Sequence, residues 1–504
     1  MGTVLDTQDQ ILSALAAPGG LAPDGCDRID THLSTILMTP DRVYKAMRAV
    51  SFEFVDFRDL SARRRACFAE IAVNRAADRL YLRAVPVVAS PSGPQIGDAS
   101  DPSTAIEWLV EMRRFRADSA FDQMVSRNAL SLEHVESLAD IIADTHATAP
   151  RRPDRDVPAQ TATVIENCGQ AMNAIARSRK DKALADQVER WRRQADSIRS
   201  NHAAYMSARA RRGCVRRCHG DLHLGNICLF EDRPTPFDAI AFNDALSDID
   251  LLYDVAFTYM DLLFRNRADL ASAFVSRYLS STQDYRGLRL WPLFVSIRSA
   301  VRGMISALSN DPDACAKYLG LALRSLEQTP SGRLVAIGGA SGSGKSTLAR
   351  ALAARMGGVV LRSDVTRKRF LGVAPESPAP KDSYTQAVSD QVYSRQLANA
   401  RRGLNAGAVV ILDAAFLRHG ERRAAAQLAA ALGAPFHGFW IDVDVEIRQR
   451  RVSARRRDAS DADAAVAAAQ APDPINDLAW RVLDGGGDAE EVAAKASELL
   501  RIER

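Results

Sequence analysis

Residues 218–230 read CHGDLHLGNICLF, and with Cys214 just upstream they place three cysteines and two histidines within fifteen positions. Two readings of this stretch lead to different folds. Structural zinc takes Cys and His ligands in closely spaced pairs, and Cys214-x3-Cys218 with His219-x3-His223 meets those spacings. The other reading uses what zinc ignores: Asp221, and five positions later Asn226. Adjacent Cys218 and His219 would have to serve different pairs of one tetrahedral site, which is sterically awkward. Plain buried thiols account for the cysteines equally well.

His219-Gly-Asp221-x4-Asn226 matches the catalytic-loop pattern H-x-D-x-x-x-x-N. There the aspartate orients or deprotonates an acceptor hydroxyl and the asparagine ligates Mg²⁺. Twelve residues beyond Asn226, PFDAIAFND (236–244) supplies Asp238 at the end of a short apolar run, where a second metal-binding carboxylate is expected. Upstream, DRVYKAM (41–47) puts Lys45 on a strand. CFAEIAVNR (67–75) then puts Glu70 on the following helix, and the two form a pair suited to holding the α and β phosphates. Lys45, Glu70 and Asp238 together favour phosphoryl transfer over zinc.

A second phosphate site follows. GGASGSGKST (338–347) matches G-x-x-x-x-G-K-[ST] through Gly339, Gly344, Lys345 and Ser346. Backbone N–H groups from Ala340, Ser341, Gly342, Ser343 and Thr347 would converge on phosphate oxygens, Lys345 would reach the β and γ phosphates, and Ser346 would bind Mg²⁺. A strand (RLVAI) precedes it and a helix (STLARALAARM) follows. A dinucleotide loop G-x-G-x-x-G fails in register, because Thr347 stands where the third glycine belongs. VVLRSDVTRKRF (359–370) ends a second strand with Asp364 and Arg367, and VVILDAAF (409–416) ends a third with Asp413. Carboxylates at strand C-termini face the ligand crevice in parallel sheets. Asp364 is thus a candidate for the acceptor hydroxyl, Arg367 for an anionic acceptor group, and Asp413 for Mg²⁺ held through water. In RQRRVSARRRDASDADAAV (448–466), Arg451 and Arg455 lie four apart, placed to clamp transferring phosphates from a lid.

The first half resembles the aminoglycoside phosphotransferase and choline-kinase-like enzymes, on HGDLHLGNI and FDAIAFNDALSDIDLLYDVAF. The resemblance implies a protein-kinase-like α+β fold with Asp221 catalytic, Asn226 and Asp238 as Mg²⁺ ligands, and Lys45 with Glu70 on the nucleotide phosphates. It also implies Asp248 and Asp254 as acids bracing the loop, THLST (31–35), with Thr31 and Ser34, as the nucleotide flap, and IEWLVEMRRF (106–115) as a hinge. No G-x-G-x-x-G precedes Lys45, and Asp238 lacks a following Phe-Gly, which points to a small-molecule kinase rather than a switched protein kinase. The second half resembles the small P-loop kinases of the gluconate, adenylyl-sulfate, polynucleotide and zeta-toxin-like type. That implies an α/β domain with a parallel sheet in which Asp364 addresses the acceptor.

At 504 residues two to four folding units are expected. QTPSG (328–332) marks the boundary between a first domain, 1–328, and a P-loop domain, 332–504. The first domain divides into a strand-rich lobe near 26–115 and a helical lobe near 116–328. The stretches 85–103 and 145–160 read as turn-rich loops, SARRRACFAEIAVNRAADRL (61–80) as an amphipathic helix, and ADAAVAAAQAP (462–472) as helix or lid. A formal charge of +4 is small for this length and argues against nucleic acid as a partner. Seven scattered cysteines do not form a disulfide framework. The opening MGTVLDTQDQILSALAAPGG lacks a basic n-region, and Asp254 and Asp261 interrupt the most apolar run, 251–264, so a cytoplasmic protein without membrane spans is expected.

These features together predict a fused double kinase using ATP or GTP with Mg²⁺ on small hydroxylated acceptors. Two other classes stay open: a single kinase regulated by a P-loop nucleotide sensor, and a polynucleotide 5′-hydroxyl kinase with an accessory first half.

Overall fold

A computed structural model describes residues 4–52, 55–98, 101–327, 332–454, 459–476 and 478–501. The chain forms two compact units. One comprises Met1–Leu130, Asp144–Thr161 and Ala203–Thr258; the other comprises Ser131–Ala143, Ala162–His202 and Tyr259–Arg504.

The first unit is built on a six-stranded antiparallel sheet, ordered Asp27–Asp30, Ser34–Met38, Arg42–Met47, Ala105–Arg113, Tyr81–Ser90, Gly93–Ile96. Helix Val4–Ala16 seals one region of it, with Leu12 and Leu15 packed among Leu37, Val85 and Leu109. The strands begin at Asp27, and this helix joins them from ahead of the sheet. The region 85–103 carries the hairpin read from its turn-rich sequence, Tyr81–Ser90 paired antiparallel with Gly93–Ile96. The region 145–160 is shorter as a loop than expected, since helices Leu132–Thr148 and Val157–Ser178 take both of its ends.

Helix Leu60–Val73 opens at Asp59, whose carboxylate accepts from the Ser61 amide. Its buried positions are Arg63, Cys67 and Glu70, not an apolar stripe. Arg63 Nε donates to Glu107 Oε1 at 2.9 Å, which satisfies the buried guanidinium. The amphipathic pattern expected there gives way to paired charges because the helix serves a site.

Two short ladders fix the loop on which the fold assignment turned. Val215–Arg217 pairs antiparallel with Asp248–Asp250, and Ile227–Phe230 with Arg233–Pro236. Residues 218–226 are pinned at both ends.

In the second unit five strands form a wholly parallel sheet, ordered Val359–Arg362, Val409–Asp413, Arg333–Gly338, Phe436–Asp442, Trp480–Asp484. Four were legible as apolar runs; Trp480–Asp484 was not, since at this edge position only Trp480 and Leu483 are buried. Val335, Ile337, Ile411, Phe439 and Leu483 join Leu348 and Leu352 of helix Lys345–Met356 in one core. At the other edge, helix Ala268–Thr282 covers Val359–Arg362 with serines: Val360 N donates to Ser276 Oγ at 2.9 Å and Ser272 Oγ donates to Gly358 O at 3.0 Å. All seven cysteines are free thiols. Among the described residues no helix is long and apolar enough to cross a membrane.

Candidate active sites

Strand Arg42–Met47 presents Lys45, helix Leu60–Val73 presents Glu70, and the segment after Arg233–Pro236 presents Asp238. The three meet: Lys45 Nζ lies 2.9 Å from Glu70 Oε1 and 2.6 Å from Asp238 Oδ1. Burial alone would lower the Lys45 pKa, but Asp238 and then Glu70 outweigh it and hold the ammonium above its ordinary value. Burial pushes the Glu70 carboxyl up, with Lys45 opposing. Tyr81 ties the cluster together, its hydroxyl donating to Glu70 Oε1 at 3.3 Å and accepting from Asp238 N at 3.1 Å. Asp238 itself sits at φ +62, a conformation costly for a non-glycine residue and common at ligand-holding sites. Asn74 adds a second clamp: Nδ2 donates to Glu70 O and Oδ1 accepts from Ala239 N.

This cluster is bonded directly to the 218–226 loop. Phe237 N donates to Asn226 O, and Ile240 N to His219 O, each at 2.9 Å. Asn226 Nδ2 donates to Asp221 Oδ2 at 3.0 Å, which leaves the amide carbonyl as the side-chain atom able to ligate a cation. The Asp221 side chain is 39% exposed and so open to an acceptor. Fully buried Asp254 accepts from His219 N at 3.2 Å and Gly220 N at 2.9 Å, bracing the loop as the resemblance implied, and meets His146 Nε2 at 3.2 Å. Asp248 is braced in turn by Arg152 and Arg155, from the stretch read as an open loop.

The zinc ligands do not converge. Cys218 Sγ donates to Ile249 O, His219 Nε2 faces Phe237 O at 2.9 Å, and His223 Nδ1 accepts from Gly225 N. A grouping of possible ligands, His146, Cys218 and Asp254 within 4.8 Å, shares only Cys218 with the expected set.

Thr31 and Ser34 stand in the turn between the first two strands, but their hydroxyls serve it. Thr31 Oγ1 donates to Ser34 O and accepts from Ser34 N, each at 2.9 Å, and the Ser34 side chain is buried against Met47 Sδ. The nucleotide flap expected over 31–35 is this turn, with both hydroxyls engaged within it. The 106–115 hinge is regular strand, Ala105–Arg113, through most of its length.

In the second unit the run from Gly339 to Thr347 joins strand Arg333–Gly338 to helix Lys345–Met356. Gly339 has φ +145 and Gly342 φ +86. A Cβ at Gly342 would come within 2.5 Å of Arg448 O, so only glycine fits under helix Val445–Ser453. Lys345 Nζ donates to Ala340 O at 2.9 Å, lying along the loop. Ser341 N donates to Gln470 Oε1 at 2.6 Å. A carboxamide oxygen thus occupies an acceptor position that the loop's amides offer, which fits a phosphate oxygen. Ser343, Gly344, Thr347 and Arg451 border a cavity of about 190 Å³ beside the loop.

Asp364 and Asp413 follow their strands as expected. Asp413 is buried, its Oδ2 accepts no hydrogen bond, and Arg362 Nε stands 3.3 Å away; a cationic group already neighbours the oxygen assigned to Mg²⁺. Burial pushes the half-buried Asp364 carboxyl up, Arg362 opposes, and Asp413 adds to the rise. Arg367 differs from expectation. It is buried, donates to Ser383 O and lies 4.7 Å from the Tyr384 ring centroid, so it holds the 383–389 segment rather than facing an acceptor. Arg451 donates to Gly485 O at 2.9 Å, while Arg455 lies outside the described residues.

Tyr81, Asn74, His146, Arg362 and Gln470 were missed in sequence. Each acts through a partner far along the chain, such as the 157 residues separating Tyr81 from Asp238, and no local pattern marks that.

Residues 61–291 match the model of the Phosphotransferase enzyme family, and residues 334–472 match an AAA domain model. An uncharacterized protein of Mycobacterium tuberculosis is 30% identical over 485 residues, covering 94% of this chain and 95% of its own; one from Mycobacterium bovis matches to the same extent. Among solved structures, a choline/ethanolamine kinase family protein from Mesorhizobium loti is similar at 14% identity over 64% of this chain and 95% of its own, with a TM-score of 0.40. The APS kinase of Mycobacterium tuberculosis is similar at 21% identity over 34% and 99%, with a TM-score of 0.27.

Proposed function

Because the chain belongs to the family of these full-length mycobacterial proteins, a phosphotransferase-family half joined to a P-loop kinase-type half, we propose that it is a bifunctional nucleotide-dependent phosphotransferase acting on hydroxyls of small molecules. The observation that carries this reading is Lys45 Nζ held between Glu70 and Asp238, a charge arrangement suited to a nucleotide-phosphate site.

In the first half Asp221 orients the acceptor hydroxyl and takes its proton as the acceptor oxygen bonds to the γ-phosphorus and the β–γ bridging bond breaks. Lys45 holds the nucleotide phosphates and Glu70 positions Lys45, while Asn226 and Asp238 would hold magnesium. In the second half Lys345 and the loop amides bind phosphate, Asp364 addresses the acceptor hydroxyl, Arg451 adds positive charge, and Ser346 and Asp413 would hold magnesium. Magnesium delivered with ATP or GTP neutralises phosphate charge at each site. The domains would meet within 328–331, residues outside those described. The low net charge of +4 supports small acceptors over nucleic acid, and with the absence of a membrane-length helix among the described residues it supports a cytoplasmic setting.

The test is ATP turnover by the full chain over a panel of hydroxylated metabolites and aminoglycosides, using wild type, Asp221→Asn and Lys345→Ala. Each substitution is expected to remove a different activity; if neither lowers any turnover, the proposal fails. A second reading, the P-loop half as a nucleotide sensor, is favoured by Gln470 occupying a loop amide. Under it, Lys345→Ala removes only nucleotide-dependent regulation of the first half.

A further inference from the structure

The second unit contains a cavity of about 270 Å³ away from the phosphate loop. Five arginines line it, Arg277, Arg350, Arg362, Arg369 and Arg395, against one lining acid, Glu136. Some of this charge is answered from the rim. Arg277 pairs with Asp140 at 2.6 Å and Glu376 at 2.8 Å, Arg369 pairs with Asp140, and Arg362 faces Asp413. Even so the arginines outnumber the acids, and Arg369 Nε is buried without a hydrogen bond. Arg395 is exposed, and its guanidinium carbon stands 4.3 Å from the Phe370 ring centroid at the cavity mouth. Hydroxyl and amide groups from Ser280, Ser281, Thr366 and Asn399 complete the polar lining, and Val360, Leu361 and Val365 give an apolar floor.

The hydroxyl protons of Ser280, Ser281 and Thr366 go to Arg277 O, Asp140 Oδ1 and Arg362 O, so the guanidinium forks supply the donors for a phosphate dianion and the hydroxyl oxygens accept from a short hydroxylated body. Helix Ser363–Phe370 shows that this is not the reaction site. Val365, Thr366, Arg369 and Phe370 line the cavity, whereas Asp364, Arg367 and Lys368 do not, as expected of opposite helix faces. One side chain belongs to both places: Arg362 lines the cavity and stands 3.3 Å from Asp413 Oδ2.

We propose that this cavity is a binding site for a small phosphate monoester, separate from the phosphate loop and coupled to it through Arg362. A bound phosphate competes with Asp413 for that guanidinium, so occupancy of the cavity changes the charge beside the P-loop crevice. Linkage makes the coupling reciprocal.

Glycerol 3-phosphate is the probe, titrated calorimetrically into the full chain. Three variants separate the possible sites. Lys345→Ala weakens the phosphate loop and is expected to leave probe affinity within about threefold of wild type. Arg395→Ala is expected to weaken it about tenfold, which is about 1.4 kcal/mol. Glu136→Gln is expected to tighten it, a gain that a misfolded variant cannot produce. Nucleotide affinity should shift at least about twofold when the probe is saturating, the low end of ordinary coupling. Binding lost in Lys345→Ala and unchanged in the other two would place the anion in the phosphate loop and overturn the proposal, as would absence of binding by wild type. An unshifted nucleotide affinity would overturn the role of Arg362.

Discussion

The two lysines at the two phosphate sites are held in opposite ways. Lys45 is fixed by side-chain charges from two other elements, Glu70 and Asp238, drawn from 25 and 193 positions away. Lys345 donates to a carbonyl five residues before it, within a loop whose shape comes from its own glycines. The first site is assembled by tertiary structure and is therefore part of what holds its unit together. The second is preformed by local backbone geometry and depends little on distant side chains. A site of the first kind couples its chemistry to stability; a site of the second kind can lose its lysine and stay folded.

The largest expected effects are on turnover. Asp221→Asn and Asp364→Asn should each lower transfer by roughly 10²–10⁴-fold, the usual weight of a proton-accepting group, and on different acceptors. Steady-state rates on each acceptor check this, and loss of both activities from one substitution would collapse the two sites into one. Next comes stability. Lys45→Ala leaves Glu70 buried beside Asp238 and should cost about 3–5 kcal/mol, while Lys345→Ala should cost no more than about 1.5 kcal/mol. Denaturant unfolding of both variants measures the contrast, and equal costs would break it. Tyr81→Phe removes one hydroxyl that joins Glu70 to the Asp238 amide, at about 1 kcal/mol, and should slow only the Asp221-dependent activity.

The smallest effect is on pH dependence. Burial holds the His219 pKa below its ordinary value, and its Nδ1 accepts from Asp221 N at 3.3 Å, a bond that only the neutral ring can make. A depressed folded pKa means that stability is complete above the unfolded value near ~6.5 and is lost as pH falls below it, by at most ~1.4 kcal/mol per pH unit. Unfolding midpoints at pH 7.5 and 5.5 should separate for wild type and draw together for His219→Asn.

The same contrast explains what could be read from the sequence. The phosphate loop was legible in ten consecutive residues because its mechanism is local: glycines, one lysine and a helix start. The strands Val359–Arg362, Val409–Asp413, Arg333–Gly338 and Phe436–Asp442 were legible as apolar runs because a parallel sheet covered on both faces buries them. Lys45, Glu70, Asp221 and Asp238 were legible only jointly, through a pattern of spacings; nothing near Lys45 alone distinguishes it from an ordinary strand lysine. Arg367 misled because its residue type suggested an anion contact, whereas a buried guanidinium satisfies carbonyls just as readily. The helix Leu60–Val73 could not be read as charged inside, because Arg63 finds its acid at Glu107, 44 residues away on a strand.

The serine pair of helix Ala268–Thr282 has a practical side. Ser272 and Ser276 occupy the backbone groups of Gly358 and Val360 that an outer strand would otherwise claim. A fragment beginning at residue 332 would lack that helix and present a bare strand edge to other molecules, an invitation to self-association. Separating the two candidate sites is therefore better done by point substitution than by cutting the chain, because what insulates the second site's sheet from aggregation is encoded within the first half.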